Sequence, residues 1–153
     1  MTLELDLLLA ERAIARALAE IARAMDERRW EALDGFVAEQ ATADFGLGPV
    51  AGRAAIVGVM RSFLDDCGPT QHLLGNLVVD VAADGAEASS RCYVSDMHVG
   101  TGDRSQLTFS TLGEYHDRWR RSGDRWWLVH RQKFNRALLG SISVLGPGPA
   151  PTG

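Results

Sequence analysis

The hydrophobic pattern of this 153-residue sequence changes its period once, at Gly68-Pro69. Before this dipeptide, apolar residues recur every three or four positions, which is the spacing of amphipathic helices. After it come segments rich in β-branched and aromatic residues, separated by short turn sequences. Helices followed by strands are the order of an α+β domain, in which helices cover one face of an antiparallel sheet.

Three segments carry helical spacing, and four carry the composition of strands. The predicted helices span residues 6–25, 29–36 and 53–66. The predicted strands span residues 70–81, 87–99, 106–119 and 125–134 and form an antiparallel meander. The last strand is apolar on both sides, with Trp126, Leu128 and Phe134 on one and Trp127 and Val129 on the other. Two apolar faces indicate that the outer one meets a second subunit, so we expect a homodimer.

Length and composition favour one folded domain over residues 1–139. A composition of 46% hydrophobic and 24% charged residues is that of an ordinary globular protein. Residues 140–153 hold Pro147, Pro149 and Pro151 among glycines, which predicts a flexible tail.

Charge and cysteine content narrow the partners and the compartment. A formal net charge of -4 argues against nucleic acid, whose binding requires neutralisation of phosphates. No segment approaches the ~20 apolar residues of a membrane span. Cys67 and Cys92 form no disulfide framework and lack the spacing of a thiolate metal site. These features suit a cytoplasmic protein.

Three residues are candidates for chemistry: Asp26 at the end of the first helix, and His72 and His98 on the inward face of predicted strands. The alternative is a structural role: Asp26 would end the helix in a solvated turn, and the histidines would be hydrogen-bonded core residues. The same three side chains have the ligand types of a two-histidine, one-carboxylate iron site, but no spacing that supports it. The sequence has no phosphate loop, nucleotide fingerprint or nucleophile elbow, so we expect neither cofactor nor metal.

Several segments resemble the SnoaL-like branch of the nuclear transport factor 2-like superfamily: ALAEIARAMDERRWEALDGFVAEQATADF, TQHLLGNLVVDV, GEYHDRW and RWWLVHR. The resemblance implies a cone, in which a strongly curved, mainly antiparallel sheet wraps around a long N-terminal helix and encloses a pocket. It also implies dimerisation through the outer face of the sheet. Asp26 and His72 match the aspartate–histidine pair of the dehydratase and dehydrochlorinase members, and His98 is similar to the second histidine of scytalone dehydratase.

The residues and the resemblance together predict a cofactor-independent enzyme that acts on a small, apolar, cyclic molecule by Asp26/His72 acid–base catalysis, with His98 assisting. Dehydration, isomerisation and polyketide cyclisation all fit this description. The alternatives are a non-catalytic dimer that binds a small ligand, and an enzyme like the epoxide hydrolases of the superfamily. The residues expected to contact the ligand are Phe45, Phe63, Asn76, Met97, Phe109, Arg131 and Phe134.

Overall fold

The structure, a computed structural model, describes residues 3–150. Its helices are α1 (Leu3–Asp26) and α2 (Arg53–Leu64), with short 3-10 turns at Trp30–Gly35, Gly102–Arg104 and Ile142–Val144. Its strands are β1 (Val37–Asp44), β2 (Pro49–Ala51), β3 (Thr70–Val81), β4 (Glu87–Val99), β5 (Thr108–Ser122) and β6 (Arg125–Gly140). The predicted α+β fold class is therefore confirmed, although β1 and β2 lie between the two helices and not after them. Among residues 3–150, no helix is long and apolar enough to cross a membrane.

The first helix packs against the sheet through the stripe that its sequence predicts. Ile14, Leu18, Ile21 and Met25 are at most 3% exposed, and alanines fill the space beside them. Because these residues recur every three or four positions, they share one side of α1. That side contacts β3 and β6 and brings the C-terminal end of α1 to the start of β3.

The sheet has six strands in the order β2-β1-β6-β5-β4-β3, so the predicted four-stranded meander is incomplete. The sheet is mixed, because β1 runs parallel to β6 while the other neighbours are antiparallel. It is not closed, since β2 and β3 are its two edges. This is the cone expected for the fold. The residues of β1, Val-Ala-Glu-Gln-Ala-Thr-Ala-Asp, carry no strand signal of their own. They become a strand because β6 supplies backbone partners, and these partners, such as His130 for Thr42, lie 88 residues later in the sequence.

A β-bulge in β6 changes which side chains face inward. Trp119 of β5 pairs with Leu128, but Arg118 of β5 pairs with His130, so Val129 is an extra residue in β6. Trp126 and Leu128 are consequently buried, whereas Phe134 lies on the opposite face and is 50% exposed. A one-residue insertion exchanges the two faces for every later residue, because side chains alternate with a period of two. Phe134 therefore does not share a side with Trp126, contrary to the prediction.

The outer face of the sheet is partly apolar. Exposed apolar residues on this face include Leu73 of the edge strand β3, and Tyr93, Met97, Leu112 and Phe134 of the neighbouring strands. Leu112 and Leu73 both pair with Ser95, and Phe134 and Tyr93 both pair with Glu114, so these side chains lie in adjacent rows.

The described part of the predicted tail is packed, not loose. Val144 is fully buried, and the backbone N–H groups of Gly146 and Gly148 donate to the carbonyls of Phe63 and Ser62 at 2.8 and 3.4 Å. A Cβ at Gly146 would lie 2.2 Å from the Ser62 carbonyl oxygen, so only glycine allows this close approach. Chain contacts with α2 thus continue past residue 139; residues 151–153 lie outside the described residues.

Candidate functional site

Asp26 and His72 form a hydrogen-bonded pair. Asp26 is the last residue of α1, and its Oδ1 lies 2.6 Å from His72 Nδ1. Its Oδ2 accepts a second hydrogen bond from the backbone N–H of His72 at 3.1 Å. The His72 side chain is 5% exposed and that of Asp26 18%. A carboxylate held at two points by one residue fixes the orientation of the imidazole, and it selects the tautomer with the proton on Nδ1.

The strand register brings a second carboxylate beside this pair. His72 of β3 pairs with Asp96 of β4, which pairs with Thr111 of β5. Residues opposite each other in neighbouring strands point to the same face, so the three side chains form one row across the inside of the sheet. One ring nitrogen of His72, one of His98 and a carboxylate oxygen of Asp96 lie within 4.8 Å of one another.

Asp96 is 1% exposed and is satisfied by hydrogen bonds. It accepts from the Thr111 backbone N–H and hydroxyl, both at 2.6 Å, and from Lys133 Nζ at 3.0 Å. Burial would raise the pKa of this carboxyl, but the Lys133 ammonium and the Thr111 hydroxyl outweigh that effect, and its pKa falls below the usual value. Asp96 is therefore ionised near neutral pH, and Lys133 is its ion-pair partner.

His98 is 4% exposed and stands edge-on to His72, with 5.6 Å between the ring centres. Its Nδ1 lies 3.2 Å from the Phe109 carbonyl oxygen, which can only accept, so Nδ1 carries a proton. Burial lowers the pKa of His98, and the positive charge of Lys133 acts in the same direction, while Asp96 opposes it. The ring is thus neutral near pH 7, with its proton on Nδ1 and a lone pair on Nε2.

A cleft of about 330 Å³ opens beside the pair, between α1 and β3. This volume is at the lower end of the range for small-molecule sites. Asp26 and His72 line it together with small and apolar side chains, among them Ala15, Leu18, Ala19, Ala22, Leu74 and Cys92. Burial raises the pKa of the Cys92 thiol to about 11, so this cysteine is not a thiolate nucleophile.

The predicted ligand contacts fall into different places. Phe109 is buried, with its ring 6.2 Å from that of His98. Phe45 and Phe63 are half-buried and pack against the main core, not against the cleft.

Four of the predicted ligand contacts lie away from the cleft. Asn76 is exposed, since a bulge between Gly75 and Val78 gives it a left-handed φ of 53° and takes it off the face of His72. Met97 is 44% exposed because strict alternation along β4 puts it on the opposite face from His98. The bulge in β6 puts Phe134 on the outer face. Arg131 lies in the core, where its guanidinium donates to Asp117.

The residues that the sequence did not reveal are Asp96, Thr111 and Lys133. Asp96 carries a readable signal, since it is an acid in the buried phase of β4, two residues before His98. Lys133 carries none, because the bulge in β6 decides that it faces inward. The cluster that could hold a cation is His72, Asp96 and His98, not the Asp26-containing set considered from the sequence. Lys133 already neutralises Asp96 at 3.0 Å, so a divalent ion here would meet a positive charge and the donor set fits it poorly.

Known proteins resemble this chain in sequence and in fold. A family model described as a SnoaL-like domain matches residues 6–132. No curated protein matches the chain by sequence.

Solved structures share the fold over most of their length. A protein of Novosphingobium aromaticivorans provisionally named an aromatic ring hydroxylase is 28% identical, with a TM-score of 0.76 over 88% of this chain and 94% of that one. A second protein of this organism, provisionally named a scytalone dehydratase, is 21% identical, with a TM-score of 0.76 over 88% and 89%. A hexachlorocyclohexane dehydrochlorinase of Novosphingobium barchaimii is 14% identical, with a TM-score of 0.79 over 95% and 99%.

Proposed function

The chain belongs to the SnoaL-like family, and from that premise we propose that it is a small-molecule enzyme of the dehydratase type in which His72 is the general base. The observation that carries this proposal is the 2.6 Å contact between Asp26 Oδ1 and His72 Nδ1 at the wall of an apolar cleft. The neighbours named as a dehydratase and a dehydrochlorinase have the same fold, and both reactions are eliminations.

The proposed elimination begins at Nε2 of His72. With Nδ1–H donated to Asp26, the lone pair on Nε2 is available to take a proton from a carbon of the substrate. The electron pair of that C–H bond forms a C=C bond, and the bond to a hydroxyl group on the neighbouring carbon breaks. That oxygen takes the proton from Nε2 of the imidazolium and leaves as water, which returns His72 to its neutral form. Asp26 stabilises the imidazolium formed in the first step, because its negative charge is in direct contact with the ring.

The polar end of the site orients the departing hydroxyl. Nε2 of His98, whose proton is held on Nδ1, can accept a hydrogen bond from that hydroxyl, and the Lys133 ammonium offsets the negative charge of Asp96. Groups that are already held by hydrogen bonds need no reorganisation as charge develops, which is how such arrangements lower a barrier. Thr111 supplies part of this support by holding Asp96 at two points.

The experiment is a search for proton abstraction. The protein is incubated in deuterated water with a panel of small cyclic alcohols and ketones, and NMR records both exchange of acidic C–H protons and release of water. We expect exchange or elimination with at least one compound, and almost none with His72→Ala. If turnover survives His72→Ala within a factor of a few, His72 is not the base, and His98 is the next variant to make. If compounds bind without any exchange, the chain is a ligand-binding member of the family.

We also propose that the chain forms a homodimer through the outer face of the sheet. The exposed rows that contain Leu73, Leu112, Tyr93 and Phe134 support this, since contiguous apolar surface commonly marks an interface. Sedimentation is expected to give twice the 16.6 kDa of one chain. Leu112→Glu, which puts a charge in the middle of that surface, should give a monomer; a wild-type monomer at micromolar concentration would contradict the proposal.

A further inference from the structure

Arg28 lies two residues after Asp26 and joins three elements that carry the site. Its Nε donates to the Leu64 carbonyl at 2.8 Å, and Leu64 is the last residue of α2. Its Nη1 donates to the carbonyls of Met25 and Asp26 at 2.9 and 3.1 Å, and these are the last two residues of α1. Its Nη2 donates to Thr70 Oγ1 at 2.8 Å and to the Gly68 carbonyl at 3.3 Å, at the start of β3.

The charge of this guanidinium has a specific environment. Its acceptors are neutral oxygens, and within residues 3–150 no carboxylate lies within ion-pair distance of it. Two of the elements are helices that end here, and the C-terminal end of a helix carries a partial negative charge. A single cation therefore satisfies the last carbonyls of α1 and α2 together, which draws the two helix ends towards each other.

The backbone at Arg28 is in the left-handed region, with φ of 56°. A residue other than glycine in this region is uncommon, and the conformation persists only where surrounding contacts hold it. Here the five donated hydrogen bonds are those contacts. The turn they hold places Asp26 against His72, because Asp26 and Arg28 belong to the same turn while Thr70 and His72 belong to the same strand.

We propose that Arg28 is the positioning residue that sets the contact between Asp26 and His72. The proposal rests on the function proposed above, for it assigns Arg28 a part in that reaction without any contact to the substrate. Without the Arg28 guanidinium, the Asp26 carboxylate supplies the only side-chain hydrogen bonds that link the end of α1 to the start of β3 among residues 3–150. Displacement of a catalytic group by about 1 Å can cost on the order of 10²-fold in rate.

The test uses three variants and a readout that requires no substrate. Arg28→Gly removes the guanidinium and accepts φ of 56° without strain, so that its effects belong to the side chain. Arg28→Lys keeps the positive charge but donates from a single nitrogen, so it cannot reproduce the five hydrogen bonds that the guanidinium makes from three nitrogens. Arg29→Gln is the matched control, since the neighbouring Arg29 is exposed and pairs only with Glu27.

NMR of the imidazole nitrogens and of the Nδ1 proton of His72 reports the tautomer and the strength of the contact with Asp26. In the wild type and in Arg29→Gln we expect one tautomer, protonated on Nδ1, with the proton signal far downfield. In Arg28→Gly we expect that signal to be lost and the two tautomers to exchange. Arg28→Lys should recover much of the free energy of unfolding, but not the signal.

Turnover separates this proposal from the proposed function. Arg28→Gly should lower kcat by about 10²-fold with little change in KM, because orientation and not binding is lost. If Arg28→Gly lowers only the free energy of unfolding and leaves the His72 signal and kcat within a factor of two, Arg28 is structural and the proposal is wrong. If Arg28→Gly does not fold, Thr70→Val removes one acceptor of the Arg28 guanidinium and is read in the same way. If the signal responds as expected while His72→Ala retains turnover, the proposed function fails and the positioning remains.

Discussion

Two groups of charged residues are buried inside the same sheet, and they differ in what their atoms can still do. We call the first the closed cluster: Asp117, Arg131 and Tyr115. Arg131 donates to both Asp117 oxygens at 2.9 and 2.7 Å and stacks 3.9 Å from the centre of the Tyr115 ring. Although burial would lower the pKa of Arg131, Asp117 raises it above its usual value, so the pair stays ionised.

We call the second the site cluster: Asp26, His72, Asp96, His98 and Lys133. Here the imidazoles use Nδ1 for structural hydrogen bonds, which leaves Nε2 for other partners, and the Lys133 side chain keeps 14% exposure. The cleft reaches this cluster through His72 and Asp26, while it does not reach the closed cluster. A buried charge is thus a poor indicator of function by itself; unused hydrogen-bonding capacity beside a cleft is the better one.

The largest effect should come from breaking the closed cluster. Arg131→Met leaves Asp117 buried without a partner, and we expect the free energy of unfolding to fall by about 3–5 kcal/mol. Urea denaturation measures this. The double variant Arg131→Met/Asp117→Leu should recover much of the loss, because neither charge is then left alone in the core. A loss below about 1 kcal/mol in the single variant would show that the two clusters do not differ in this way.

In the site cluster, the corresponding change should affect turnover more than stability. Asp26→Asn can present its amide N–H₂ to His72, which selects the wrong tautomer of the base. We expect turnover to fall by about 10²-fold while the urea midpoint stays close to that of the wild type. The same assay on Asp65→Asn serves as a control, since this carboxylate does not line the cleft and accepts hydrogen bonds from Trp30 and Arg61. A large loss of stability with unchanged kcat would place Asp26 with the structural residues.

Lys133→Met should change the titration of its neighbours. Without the ammonium at 3.0 Å, Asp96 is left buried beside His98, and proton uptake by these two residues should move to higher pH. NMR titration of the His98 ring measures the shift, and the exposed His116 on the outer face is an internal reference. An unchanged titration would mean that Lys133 does not control the charge of the site.

The smallest effect concerns the pH dependence of stability. Burial lowers the pKa of folded His98, whereas the unfolded ring titrates near 6.5. As the pH falls below about 6.5, His98 binds a proton in the unfolded chain but stays neutral in the folded one. The free energy of unfolding therefore decreases. His98→Gln removes this contribution. Its free energy of unfolding should therefore decline less between pH 6.5 and 5 than that of the wild type, and parallel curves would contradict the expectation.

The comparison of the two clusters also explains which parts of this structure the sequence predicts. Helix α1, β3 and β4 follow from periodicity, and with them the inward positions of His72 and His98. The Asp26–His72 contact comes from matching the family, since nothing local in the sequence relates a helix end to a strand 46 residues later.

The bulges and the long-range pairings are the parts that a linear pattern does not contain. One inserted residue in β6 puts Lys133 inside and Phe134 outside, and the pattern of the strand gives no sign of it. The same inserted residue puts Arg131 inside, and only the register with β5 reveals that Asp117 faces it. Strand β1 depends on its parallel partner β6, and its alanines carry no β preference that could announce it.

The most direct measurement of the central claim is the double variant Asp26→Asn/His72→Ala, assayed with the first substrate that the exchange experiment yields. If the two residues act as one acid–base unit, removing the second member after the first costs little, since the base is already gone. The account predicts that the double variant turns over within a factor of about two of His72→Ala alone. If the losses multiply instead, so that Asp26→Asn costs its full factor in the absence of His72, the two side chains act independently and the proposed pair is wrong.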